Sequence, residues 1–300
     1  MKPIAACMSA TFLSLVLGAG CDSAGTADNT LPPDDATPHV DVHGEYTLQP
    51  GEETYLCYTL TVPAGFSQAI TRLVPTYGKG THHILFSQTI APEPSGMSEC
   101  KVLSKDTWLP LYAAGQGVSP VNLPAGTALR LVQPEQQLVL QLHLQNASPN
   151  PLTAKSTMRV EFAQSAKGLT WAGIFGLDNH QIHLPPHSQA VTSSMSCVPG
   201  KELGVFAVLG HMHKHGRHLE LSRGTMPGQE ILFDEDWNFD EQPLTMKTMQ
   251  ISKTDQLFLR CQHDNNTDVP IAYGESSDTE MCAAVLYYTP FESLDGCTQQ

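Results

Sequence analysis

The sequence predicts an all-β protein, a sandwich or jelly roll, on three observations. Helical periodicity is scarce. Short alternating or β-branched runs dominate, and these runs are bounded by Pro, Gly, Asn and Asp. In chain order the strands expected are Glu53 to Val62, His82 to Ser87, Ala128 to Leu131 and Leu138 to Gln145 in the first half. Thr157 to Phe162, Ala190 to Ser196, Gly204 to Leu209, His218 to Ser222, Gln256 to Cys261 and Met281 to Tyr288 follow. The run from Leu138 to Gln145 is the clearest. It alternates, so Gln141, His143 and Gln145 share one face and Leu140, Leu142 and Leu144 the other. No internal repeat is visible. A boundary in the stretch 165–172 would divide the chain into two halves, 41–166 and 167–300, each long enough to bury a core.

Composition excludes several classes. Of 300 residues 41% are hydrophobic and 15% charged, below the roughly 25% charged of an average soluble chain, so the bulk is folded rather than disordered. The 23 Gly and 22 Pro are too few and too scattered for a collagen-like or low-complexity chain. With 16 Lys plus Arg against 30 Asp plus Glu the net charge is −14, and no basic stripe exists, which argues against a nucleic-acid partner. The 13 histidines nearly equal the whole cationic count, a first sign of metal chemistry.

The amino terminus reads as an export signal. Met1-Lys2 precedes an apolar run from Ile4 to Ala19, the length of a signal-peptide core and short for a membrane span. Residues 1–20 are therefore assigned to a signal peptide. The following Leu-Gly-Ala-Gly-Cys resembles a bacterial lipobox with Cys21 as the lipid anchor, although Leu17 stands four before the Cys rather than the usual three. Residues 21–40, acidic and Pro-containing, read as a flexible tether. No later run reaches 18 apolar residues, so membrane contact is expected only through the anchor, on a periplasmic or cell-surface lipoprotein. Removing Cys7 and Cys21 leaves six cysteines, Cys57, Cys100, Cys197, Cys261, Cys282 and Cys297. An even number in an exported chain implies disulfides, with about 15 connectivities open on counting alone.

Four clusters carry chemistry. His82-His83 is the first. Neighbours on a regular strand point to opposite faces, so one ion can take both only where the strand twists, bulges or lies at an edge. His143, on the polar face of its strand, is the second. His211-Met212-His213 is the third: on a strand, residues i and i+2 share a face about 6 to 7 Å apart, good geometry for two imidazoles on one ion. Glu280-Met281-Cys282 is the fourth. Met is usually core filler, but beside two imidazoles its thioether is a soft ligand suited to copper, above all Cu(I). The other eight histidines read as surface or structural residues.

The order HH, QxH, HxH, EMC along the chain resembles the copper type II, ascorbate-dependent monooxygenases, the family of peptidylglycine α-hydroxylating monooxygenase and dopamine β-monooxygenase. Further pieces fall in the same order between about residues 45 and 297: 53–57 (GluThrTyrLeuCys), 138–143 (LeuValLeuGlnLeuHis), 184–186 (LeuProPro), 236–242 (AspTrpAsnPheAspGluGln), Asp255-Gln256-Leu257 and 286–288 (LeuTyrTyr). The resemblance implies two antiparallel jelly-roll domains, one copper in each, facing across a solvent-filled cleft. It implies that His82, His83 and His143 hold an electron-transfer copper fed by ascorbate. By the same resemblance His211, His213 and Met281 hold the catalytic copper that activates O₂ for hydroxylation. It also implies the bridges Cys197–Cys297 and Cys261–Cys282. That leaves Cys57 with Cys100, a pairing the resemblance does not itself supply.

Three departures bear on substrate. The peptide hydroxylase holds a substrate carboxylate with an Arg two before HxH, and with an Asn and a Tyr two and four beyond the Met ligand. Here these positions are Leu209, Ala283 and Val285. A buried carboxylate needs charged or hydrogen-bonding partners, so a small substrate that is more apolar or differently anchored is expected. The competing readings are an exported copper-binding or copper-storage lipoprotein of the same fold without turnover, and a jelly-roll carbohydrate-binding or adhesive domain with incidental histidines.

Overall fold

The computed structural model describes residues 37–300 apart from 101–104, 106, 116–119, 275, 294 and 300. The signal peptide, Cys21 and the tether as far as residue 36 lie outside the described residues.

Among the described residues the chain is all-β, with no α-helix. The first half supplies β1 (His39–Leu48), β2 (Glu53–Thr61), β3 (Ala69–Thr76), β4 (Thr81–Thr89), β5 (Gly96–Glu99), β6 (Trp108–Gly115), β7 (Val121–Asn122), β8 (Thr127–Arg130), β9 (Gln137–Gln145) and β10 (Leu152–Phe162). The second half supplies β11 (Thr170–Asn179), β12 (His183–Leu184), β13 (Ser188–Cys197), β14 (Leu203–Met212), β15 (Gly216–Arg223), β16 (Glu230–Asp236), β17 (Leu244–Ile251), β18 (Leu257–Asn265), β19 (Ile271–Ala272), β20 (Cys282–Thr289) and β21 (Asp295–Gln299). They form a ten-stranded sheet running β1-β10-β3-β8-β11-β20-β14-β17 with β7 on β3 and β21 on β11, a five-stranded sheet β5-β2-β9-β4-β6, a four-stranded sheet β13-β18-β15-β16 and the pair β12-β19.

The first strand corrects the extent of the tether. His39 and Val40 belong to β1, which pairs with β10 from His39 opposite Glu161 to Leu48 opposite Leu152. Val40, Val42 and Leu48 are buried along it, and that apolar face drives the pairing. At the centre of the five-stranded sheet, β9 divides its residues as its alternation demands. Leu138, Leu140, Leu142 and Leu144 enter the first core with Ile84, Phe86 and Tyr112. Val139, Gln141 and His143 face the other way.

Two hydrophobic cores lie against opposite faces of β11, β20 and β14. Phe175 and Leu177, with Val208, Met212, Leu286 and Tyr288, join the second core beside Leu219, Leu221 and Leu259. The alternate residues Ala172, Leu209 and Tyr287 join the first core. The period of two lets each strand serve both. Three disulfides link Cys57 to Cys100, Cys197 to Cys297 and Cys261 to Cys282, with Cα atoms 5.7, 6.0 and 5.9 Å apart. Each would stabilise the fold by about 3 to 5 kcal/mol through the unfolded chain, and bridges of this kind mark an oxidising, exported environment.

Candidate metal centre

Two neighbouring strands build the first histidine cluster. In the β4–β9 pairing Thr81 lies opposite Leu144 and His83 opposite His143, so the register slips by one at His82. That bulge answers the sequence problem: the extra residue re-aims a side chain, and both adjacent histidines turn to one side. Ring centroids are 5.8 Å apart for His82 and His83, 5.2 Å for His82 and His143, and 4.6 Å for His83 and His143. One nitrogen from each residue lies within 4.8 Å of the others, and all three side chains are buried.

The surroundings orient the rings. His143 Nε2 donates to Glu53 Oε1 at 2.6 Å, leaving Nδ1 to face His83 Nδ1 at 3.3 Å. Tyr55 stacks on His143 at 4.2 Å with planes 6° apart, and Phe239 covers His82 at 4.2 Å. Both ring nitrogens of His82 and Nε2 of His83 are buried without a hydrogen-bond partner. Orphaned buried nitrogens are rare because the lost hydration is not recovered. Burial lowers all three proton affinities: His82 downward, His83 well below its ordinary range and His143 to about 4. Neutral imidazoles with converging lone pairs are what a copper ion requires, and these residues fit one.

The second set sits at the end of β14. Met212 is buried in the second core, and the flanking His211 and His213 project together, with ring centroids 5.2 Å apart. His211 Nδ1 donates to Gln242 Oε1 at 3.0 Å and His213 Nδ1 to the Thr279 carbonyl at 3.2 Å. Both rings therefore keep Nε2 free for a ligand bond. Burial lowers the proton affinity of His211 and takes that of His213 to about 3. The Glu280 carboxylate accepts the backbone N–H groups of His213 at 2.6 Å, Met281 at 2.9 Å and His215 at 3.0 Å. It thus clamps the end of β14 to the segment entering β20. Burial raises the carboxyl to about 7 against these three donors, which favour its charged form. Met281 is itself buried, and the neighbouring Cys282 is fixed by its bridge to Cys261.

The two sets adjoin. His83 and His211 have ring centroids 6.3 Å apart, so the open cleft that the resemblance implied between them is closed in this structure. Polar contacts hold the halves together: the Ser277 hydroxyl donates to Glu53 Oε1 at 3.0 Å, and the Gly115 amide to the Gln242 carbonyl at 3.3 Å. A side chain at 115 would displace Gln242, since a Cβ there would lie 2.6 Å from that of Gln242. Residues 237–242 serve both sets. Trp237 donates its indole N–H to the His213 carbonyl at 2.9 Å, Phe239 lies on His82 and Gln242 holds His211.

His83, His211 and Met281 line one cavity of about 290 Å³ whose remaining walls are apolar except for Asp178 and Gln242. Leu209, Ala283 and Val285, the three positions that depart from the peptide hydroxylase, all lie in this wall. Sequence reasoning missed the residues that hold the histidines: Glu53, Tyr55, Phe239, Gln242 and Glu280. In the sequence the stretch 236–242 stands out only as a match of order, and Glu280 only as the neighbour of Met281. Of the other histidines, His180 contacts Asp178, His187 contacts Asp268, His215 contacts the Asp264 carbonyl, and His263 contacts Ser193.

Comparison with known proteins agrees with this chemistry. Residues 170–300 match the family model "Copper type II ascorbate-dependent monooxygenase, C-terminal domain". The chain is similar to DBH-like monooxygenase protein 2 of Homo sapiens, 25% identical over 299 residues, covering 88% of this chain and 59% of the relative. It thus spans about three fifths of that relative's length. Among solved structures, the major capsid protein P2 of bacteriophage PM2 aligns with TM-score 0.31 and 6% identity over 84% of this chain and 97% of its own. The VP2 subviral particle of infectious bursal disease virus aligns with TM-score 0.20 and 8% identity over 86% and 74%. Likenesses that shallow carry no argument. Residues 170–300, which bear His211, His213 and Met281, are thus similar to the carboxyl-terminal domain of the copper type II ascorbate-dependent monooxygenases.

Proposed function

We propose that this chain is an exported copper monooxygenase. It would take O₂ and electrons from ascorbate or a similar one-electron donor to hydroxylate a C–H bond of a small substrate in the apolar cavity. One observation carries the reading: two histidine sets with oriented, neutral rings meet at a single cavity that also holds Met281. His82, His83 and His143 would hold one copper, and His211, His213 and Met281 the other. Bound copper would supply one-electron redox chemistry and O₂ activation, with the thioether favouring Cu(I).

The chain's own groups do the rest. Glu53 and Gln242 fix which nitrogen of His143 and of His211 carries hydrogen, and Thr279 does the same for His213. Glu280 keeps Met281 beside the two histidines. The mostly apolar wall favours a substrate C–H group over a polar one beside His211 and Met281. The experiment is ascorbate-driven O₂ uptake by the copper-loaded chain, with a hydroxylation screen of candidate substrates. Uptake that depends on both copper and a substrate supports the reading. Two bound coppers without uptake would assign the chain to copper storage instead. Robust turnover of glycine-extended peptides would refute the apolar-substrate element.

A further inference from the structure

The apolar cavity does not end at the histidines. A second cavity of about 260 Å³ lies along the same two strands and shares Pro110 with the first. On β6 the lining passes from Ala114 and Ala113 through Pro110 to Leu109. On β11 it passes from Asp178 and Gly176 to Ile174 and Ala172. Six residues of strand separate Asp178 from Ala172, a seam of about 20 Å. Its floor is open where a side chain could stand, since a Cβ at Gly176 would meet nothing within 4 Å.

The far end carries Arg130. Five of the six arginines are ion-paired: Arg72 with Glu161, Arg159 with Asp41, Arg217 with Asp264, Arg223 with Glu230 and Asp255, and Arg260 with Glu220. Arg130 is the exception among the described residues. In a chain of net charge −14 its guanidinium has no ion-pair partner among the described residues and lies over the Trp171 ring at 5.6 Å. A planar cation held on an indole face keeps its outer donors free for a planar anion. At the other end the charge is reversed. Asp178 lines the cavity beside His211 and Met281, and its Oδ1 is buried without a hydrogen-bond partner. An anion at the histidine end would meet that carboxylate.

We propose that the seam binds an unbranched alkyl chain with one terminal carboxylate, a medium-chain fatty acid. Its carboxylate rests on Arg130, and its methylene tail runs past Pro110 and Gly176 to the His211–Met281 end. Asp178 sets this direction and Arg130 anchors it. The proposal rests on the monooxygenase reading for the tail's fate, whereas binding itself does not.

The test is calorimetric titration of the full chain, with and without copper, using decanoate, decylamine and 1-decanol as probes. Decanoate should bind more tightly than decylamine. Arg130→Gln should weaken decanoate about tenfold and leave 1-decanol unchanged, with Arg130→Lys recovering part of the loss. Gly176→Phe should abolish binding of all three, and the circular dichroism of each variant should match the parent. Equal affinity for decanoate and decylamine, or an unaltered decanoate affinity in Arg130→Gln, overturns the proposal. Binding without copper-dependent O₂ uptake would leave the anionic-chain site standing and remove the monooxygenase reading.

Discussion

The two histidine sets are held by different means. His83 and His143 face each other in one register of paired strands, with a single bulge bringing in His82. Backbone pairing places this triad. His211 and His213 straddle the end of β14, and Met281 precedes β20. There the holding is done by side chains and links: the Glu280 clamp, the Gln242 and Thr279 hydrogen bonds and the Cys261–Cys282 bridge. A site built into a sheet interior is fixed by the fold. One built at strand ends depends on a few polar contacts, and it brings two of its three members, His211 and Met281, to the cavity, against His83 alone from the triad.

That contrast can be broken first by removing ligands. His83→Ala and His211→Ala should each abolish turnover and lower bound copper by about half, leaving the other centre intact. Elemental analysis and copper paramagnetic resonance check this; loss of both coppers from either variant would mean the sets are one centre. Met281→Ile should keep both histidine pairs and the reducibility of the triad copper while hydroxylation is lost, as stopped-flow reduction by ascorbate and product analysis would read.

Much of the fold and of the site was legible in the residues, for physical reasons. Leu138 to Gln145 alternates cleanly, so its faces followed from the period alone. His211 and His213 followed from the same rule. β6 and β11 were not legible, because Pro110 and the glycines at 173 and 176 dilute their apolar pattern. Gly173 has a steric use, since a Cβ there would run into the Phe291 ring. The bulge at His82 was legible only as a condition, since a register slip depends on the partner strand. Glu53, Phe239 and Gln242 were not legible as partners of the histidines. Each is separated in sequence from the ring it contacts and leaves no periodic trace.

Smaller effects sharpen the contrast. Gln242→Leu should weaken copper binding at the second set by about 10- to 100-fold and spare the triad, and Glu53→Gln should do the reverse. Competitive chelator titration of each variant measures this. Gly115→Ala should act like a mild Gln242 variant, because its methyl group would press on the Gln242 side chain. A drop confined to the second set is the expected result.

The most direct measurement is copper K-edge X-ray absorption of the ascorbate-reduced, fully loaded protein beside its Met281→Ile variant. Two coppers per chain, nitrogen-coordinated, with a sulfur neighbour at one of them that vanishes in the variant, is the predicted result. A single copper, or a sulfur signal unchanged by Met281→Ile, would contradict the assignment of two centres around one cavity.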